Sequence, residues 1–124
     1  MKKRILILTS TAKKDQAAFE KDKRTKVLSN DANAVVCFCH EPKSSKDIVQ
    51  KAKECRATHI VCDGVSIEMG NNTIKLLNKT WAGKHKLLTM TGGIEGAVKI
   101  TSYDDIFVEE PVRSGVEEEA MAAA

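Results

Sequence analysis

Four short apolar runs, separated by longer charged stretches, constrain this chain more than any other feature. The runs are Ile5–Thr9, Ala34–Cys39, Thr58–Asp63 and Lys86–Met90. Each is rich in Ile, Leu, Val or Cys and is followed by turn-type residues, the pattern of a buried strand. The stretches between them read as helices. Asp15 to Leu28 carries no Gly or Pro, and Ala18, Phe19, Val27 and Leu28 are its expected anchors. Ser44 to Asp47 has the form of a capping box, followed by Ile48, Val49, Ala52 and Cys55 at helical spacing. Gly64 to Asn71 reads as a loop. Asn71 or Asn72 then caps a helix with Ile74, Leu77 and Trp81 on one face, stopped at Gly83.

After the fourth strand, Thr91-Gly92-Gly93 opens a shorter helix carrying Ile94, Ala97 and Val98. Ile106–Val108 reads as a short extended piece ended by Pro111. The alternation predicts an α/β fold, a single compact domain with a mostly parallel four-stranded sheet flanked by helices. Residues 1–112 form the domain. Residues 113–124 are an acidic, then Ala-rich tail, expected to be frayed or disordered.

Composition narrows the function classes. A length of 124 residues suits one domain. Hydrophobic residues make up 42%, enough for a packed core. Aromatics make up only 4%, which argues against a base-stacking platform and against direct nucleic-acid binding. No apolar run approaches the roughly 20 residues of a membrane span. The start resembles half a signal peptide, but the apolar stretch fails at Thr9 and Lys13 and Lys14 follow. It reads instead as the first strand of an intracellular protein, in which the four Cys are expected to be free thiols. The net charge of +3 hides a basic start, from Lys2 to Lys26, and an acidic end. Two solvated faces explain that split. A basic face that attracts an anionic partner explains it as well.

Catalytic constellations are thin, and no enzyme activity or cofactor is expected. Cys37-Phe38-Cys39-His40 is the best metal-site fragment. On a strand, however, His40 faces away from both thiols, so no metal is expected. The Gly-rich turn Thr91–Gly96 lacks the spacing of a dinucleotide fingerprint and the Lys-Ser/Thr of a P-loop. Asp63, at a strand end, reads as a loop-capping carboxylate. The most coherent set is Ser10, Thr11, Thr73 and Lys75. Two hydroxyls would follow strand one, while Thr73 and Lys75 would sit in the first turn of a helix, and together they can bind phosphate.

Several segments resemble the BRCT domain family of phosphoprotein-binding modules. Thr58-His59-Ile60-Val61 is similar to the family's third strand. Asn72-Thr73-Ile74-Lys75 is similar to the start of its second helix. Ala82-Gly83-Lys84 with Leu87-Leu88-Thr89, Ile94 to Lys99, and Glu109-Glu110-Pro111 are similar to later elements. Residues 42–56 then stand as an insertion. The resemblance implies that Ser10, Thr11 and Lys75 hold phosphate and that Thr73 supports the helix entry. It also implies a phosphoserine or phosphothreonine partner, pairing with a second such domain, and nuclear DNA-damage signalling.

A rival resemblance is to a degenerate response-regulator receiver. Asp63 takes the acceptor position, and Asp104 to Val108 resembles the final strand. The acidic pair on strand one is missing. Such a domain would act through protein contacts without phosphorylation.

Overall fold

The fold is taken from a computed structural model, which describes residues 2–81 and 86–108, the side chains of Thr80 and Trp81 excepted. Five strands run in chain order: β1 Arg4–Thr9, β2 Val35–His40, β3 His59–Cys62, β4 Lys86–Thr89 and β5 Val98–Lys99. Three helices connect them: α1 Gln16–Asn30, α2 Ser45–Cys55 and α3 Ile67–Trp81. Short 3-10 turns cover Lys13–Asp15 and Tyr103–Phe107. The strands pair in the order β2-β1-β3-β4-β5, and every pair is parallel. This is the α/β class expected from the alternation, with one more strand.

The apolar runs are continuous because both faces of the sheet are covered. On β1, Leu6 and Leu8 face the α2–α3 side, where they meet Ile48, Ala52, Ile74 and Leu77. Ile5 and Ile7 face the other side, with Val27 of α1 and Tyr103 and Ile106 of the final turn. These four apolar side chains of β1 are fully buried. Burying each Leu or Ile contributes about 1.5–3 kcal/mol. Residues 42–56, expected as an insertion, contain α2, whose Ile48, Val49, Ala52 and Cys55 are part of the core. Its cap forms as the sequence suggests, with Ser44 Oγ accepting from the Asp47 N–H at 3.3 Å.

Four expectations are corrected. The helix after β3 begins at Ile67, not at Asn71 or Asn72. Ser66 Oγ accepts from the Met69 N–H at 3.1 Å and supplies the cap. Gly70, which read as part of a loop, is inside the helix. A Cβ there would overlap the Ile94 side chain, so the missing side chain seats Ile94. Second, Thr91 to Val98 is not a helix. Gly93 and Gly96 both have φ of +86°, which no right-handed helix accommodates, and the chain turns into β5. Third, Ile106–Val108 is not a strand. The 3-10 turn Tyr103–Phe107 occupies most of it, with a capping box between Ser102 and Asp105. Fourth, Ala18 is exposed, so Val27 carries the burial of α1, with Phe19 and Leu28 partly covered. The Gly83 stop, the Trp81 anchor, Pro111 and the acidic tail lie outside the described residues.

Candidate functional site

In an open parallel sheet, loops gather at the carboxyl ends of the strands. The favoured crevice lies where successive connections leave in opposite directions. With β1 between β2 and β3, that point is the β1–β3 edge. Two loops frame it, Ser10–Ala12 and Asp63–Ser66. Gly64 turns the second loop at φ +94°, a conformation that disfavours a side chain although there is room for one. A Cβ there would sit 3.5 Å from Thr9 Oγ1 and 3.9 Å from the Ser10 nitrogen.

Ser10 is exposed and Thr11 half-buried at this edge. The Thr9 and Thr11 hydroxyls bond each other at 2.7 Å. The Gln16 amide donates to the Thr11 carbonyl at 3.3 Å, closing the turn into α1. Beside them, Asp63 accepts the Tyr103 hydroxyl at 2.5 Å, and Lys23 Nζ lies 4.0 Å from the same oxygen. Asp63 is therefore tied to α1 and the final turn.

Ser10 and Thr11 share the sheet edge as expected, and the other two candidates stand elsewhere. Because α3 starts at Ile67, Thr73 and Lys75 are not in its first turn. Thr73 is fully buried and donates its hydroxyl to the Met69 carbonyl at 2.7 Å, a bond within its own helix. Lys75 lies about 12 Å along the helix from Ile67 at 1.5 Å per residue.

Lys75 is exposed and lines two surface grooves. One, of about 390 Å³, runs past Asn71, Ile74, Asn78, Glu95 and Gly96. The other, also about 390 Å³, lies between α2 and α3 and is lined by Ser45, Lys46, Asn72, Lys75, Leu76 and Lys79. Three lysines, a serine and an asparagine thus line the second groove, with no acid among its lining residues. Lys46 and Lys79 are the site residues that sequence reasoning missed. Each looks locally like a solvated helix Lys; Lys79 stands beside Lys75 by its i, i+4 spacing on α3, and the packing of α2 on α3 brings Lys46 to them.

The other chemical candidates have structural uses. The Gly-rich turn is clamped by Asn71, whose amide donates to the Gly93 carbonyl at 3.4 Å and accepts from the Glu95 N–H at 2.9 Å. Thr89 Oγ1 takes the Thr91 N–H at 3.0 Å. Two of the amides a phosphate would need are therefore engaged. Cys37 and Cys39 pack toward the α2–α3 core. His40 lies on the opposite face, stacked on Phe38 at 5.8 Å and bonded to Glu20 at 2.7 Å. Burial raises the Cys62 thiol to about 11. Among the described residues, no group of three or more His, Cys, Asp or Glu is placed to hold a metal ion, and no helix is long and apolar enough to cross a membrane. Comparison with protein-family models, with curated proteins and with solved structures finds no match.

Proposed function

We propose that this chain is a non-catalytic binding module for a phosphorylated protein partner, with the Lys46–Lys75–Lys79 groove as its anion contact. The observation that carries the reading is the groove itself. A phosphate dianion there meets three cationic donors, and hydrogen bonds between ionised groups are roughly twice as strong as neutral ones. The Ser45 hydroxyl and Asn72 amide would supply directional bonds beside them. Ser10 and Thr11 offer a separate hydroxyl pair at the sheet edge. The resemblance to BRCT domains supplies the finer part of the proposal: a phosphoserine or phosphothreonine peptide, a second domain of the same kind, and nuclear DNA-damage signalling.

The test is a chemical-shift titration with a phosphoserine peptide and its unphosphorylated twin. Phosphate-dependent shifts are expected at Lys46, Lys75 and Lys79. Lys75→Met should weaken phosphopeptide binding about tenfold, the equivalent of ~1.4 kcal/mol. Thr73→Val should leave it unchanged, because that hydroxyl is spent inside α3. Equal binding of both peptides would sink the phosphate claim.

A second reading is favoured by the strand order. β2-β1-β3-β4-β5 is the order of flavodoxin-like doubly wound sheets, receivers among them, and Asp63 directly follows β3. Against it, β1 runs into Thr9, Ser10 and Thr11 rather than acids, Asp104–Val108 is mostly 3-10 turn, and Tyr103 and Lys23 hold the Asp63 carboxylate. Under this reading the domain signals through protein contacts alone. A response of Asp63 to Mg²⁺ and beryllofluoride would instead make the domain a working receiver, and no response would leave only the degenerate form of this reading.

A further inference from the structure

The opposite, amino-terminal edge of the sheet carries a basic pocket that the proposed function does not use. It has a volume of about 270 Å³ and is lined by Lys2, Lys3, Thr58, His59 and Lys86. Parallel register builds it. His59 opens β3, opposite Ile5 on β1 and opposite Lys86 on β4. Lys2 and Lys3 arrive from the segment just before β1.

Hydrogen bonds fix the floor of the pocket. The Arg4 N–H donates to Thr58 Oγ1 at 2.9 Å, and the Thr58 N–H donates to the Arg4 carbonyl at 2.8 Å. Thr58 Oγ1 lies 2.8 Å from His59 Nδ1 and 3.2 Å from the Arg4 carbonyl. The Thr58 hydroxyl has one proton for these two contacts, so the tautomer of His59 is set by whether that proton goes to the Arg4 carbonyl or to Nδ1. His59 is only 9% exposed, so it is a nearly buried polar side chain lining a cavity whose other lining residues include three lysines.

The charges around the ring can be named element by element. β4 contributes Lys86, and the segment before β1 contributes Lys2 and Lys3. Lys3 Nζ also lies 5.8 Å from the centre of the Phe107 ring. Arg4 of β1 is turned to the Cys55 carbonyl, with Nε at 2.7 Å. Among the described residues, the adjoining groove that Lys86 also lines holds one acid, Asp105. Its carboxylate accepts the Thr101 and Ser102 N–H groups at 3.0 and 3.2 Å.

We propose that this pocket is a second anion site, taking a single phosphate-class oxyanion between Lys2, Lys3 and Lys86 with His59 as a donor. Its volume lies just below the roughly 300–1,000 Å³ of clefts for larger ligands. That suits inorganic phosphate or the head of a phosphate monoester, not a dinucleotide. Burial first, then Lys86 and Lys3, hold His59 down to about 4 in the empty pocket. A bound anion offsets those positive charges and favours the imidazolium, so His59 must titrate higher when the site is filled. By linkage, protonating His59 tightens the anion by the same factor.

The experiment is a titration of the full chain with inorganic phosphate, against sodium chloride of matched ionic strength, followed by NMR. Near neutral pH, saturable shifts are expected at Lys3, Thr58, His59 and Lys86. Across the acid range, the His59 ring titration should move up by about one pH unit, a tenfold linkage. The paired Lys3→Met, Lys86→Met variant should lose the saturable shifts and should raise the His59 midpoint even without phosphate. Shifts that match the chloride control, or that survive unchanged in the paired variant, would overturn the site. The phosphopeptide reading would stand or fall separately, on Lys46, Lys75 and Lys79.

Discussion

The Tyr103 hydroxyl donates to Asp63 Oδ2 at 2.5 Å, joining the final turn to the end of β3. Lys23 of α1 completes the arrangement, with its ammonium 5.1 Å from the centre of the Tyr103 ring and 4.0 Å from Asp63 Oδ2. Three parts of the chain distant in sequence meet in this contact. It closes the face of the sheet that α1 covers only thinly.

Tyr103→Phe should destabilise the fold by about 2 kcal/mol, the usual scale for a hydrogen bond to a charged group. Urea unfolding measures it. Burial, then the Asp63 carboxylate, push the phenol far above the ordinary tyrosine range. The chain has one Tyr, so alkaline absorbance titration reads this group alone. Phenolate should appear only together with loss of the native circular dichroism. Ionisation near pH 10, the ordinary tyrosine value, with the fold intact would contradict the buried bond.

His59 makes the fold acid-sensitive in a definite direction. Its folded value is about 4 against an ordinary 6.5, chiefly through burial and secondly through Lys86 and Lys3. Between those values the unfolded chain takes up a proton that the folded one refuses. Stability therefore falls as pH drops from about 6.5 to about 4. The full loss is roughly 3 kcal/mol, at 1.36 kcal/mol per pH unit. Unfolding free energies at neutral and acid pH should show it, and His59→Gln should remove that part of the slope. An unchanged slope in the variant would assign the acid sensitivity to other groups.

Gly96→Ala should cost about 1–3 kcal/mol, from a positive φ that disfavours a Cβ and from packing. The added Cβ would sit 2.9 Å from Ile74 Cγ2, a core atom of α3. Thermal unfolding would register the loss. A neutral result would mean that the turn between β4 and β5 relaxes without moving Ile74.

The elements themselves were legible in the sequence where the signal is local. Four strands fall on the apolar runs, and the Ser44 cap appears where the hydroxyl and the acid three residues on place it. Other readings failed because a local pattern has more than one use. Asn71 has the chemistry of a cap but clamps the Gly93–Glu95 turn instead. Gly70 has the chemistry of a loop but makes room for Ile94 inside a helix. The candidate site divided the same way. Ser10 and Thr11 lie at the sheet edge because they directly follow a strand, whereas Thr73 went inside once the helix start moved to Ile67.

The sequence by itself determined that this is an α/β chain with parallel strands buried on both faces, because hydrophobic periodicity is a property of neighbouring residues. It also determined an uneven charge distribution, basic from Lys2 to Lys26 and acidic at the end. Tertiary structure decided the strand order, the partnership of Tyr103 with Asp63, and both basic concavities: Lys46 of α2 with the Lys75–Lys79 pair that i, i+4 spacing sets on α3, and Lys2 and Lys3 with Lys86 and His59. A solvated Lys has no local signature of its partner. Its neighbours are set by how helices pack and which strands lie side by side, which only the folded chain specifies.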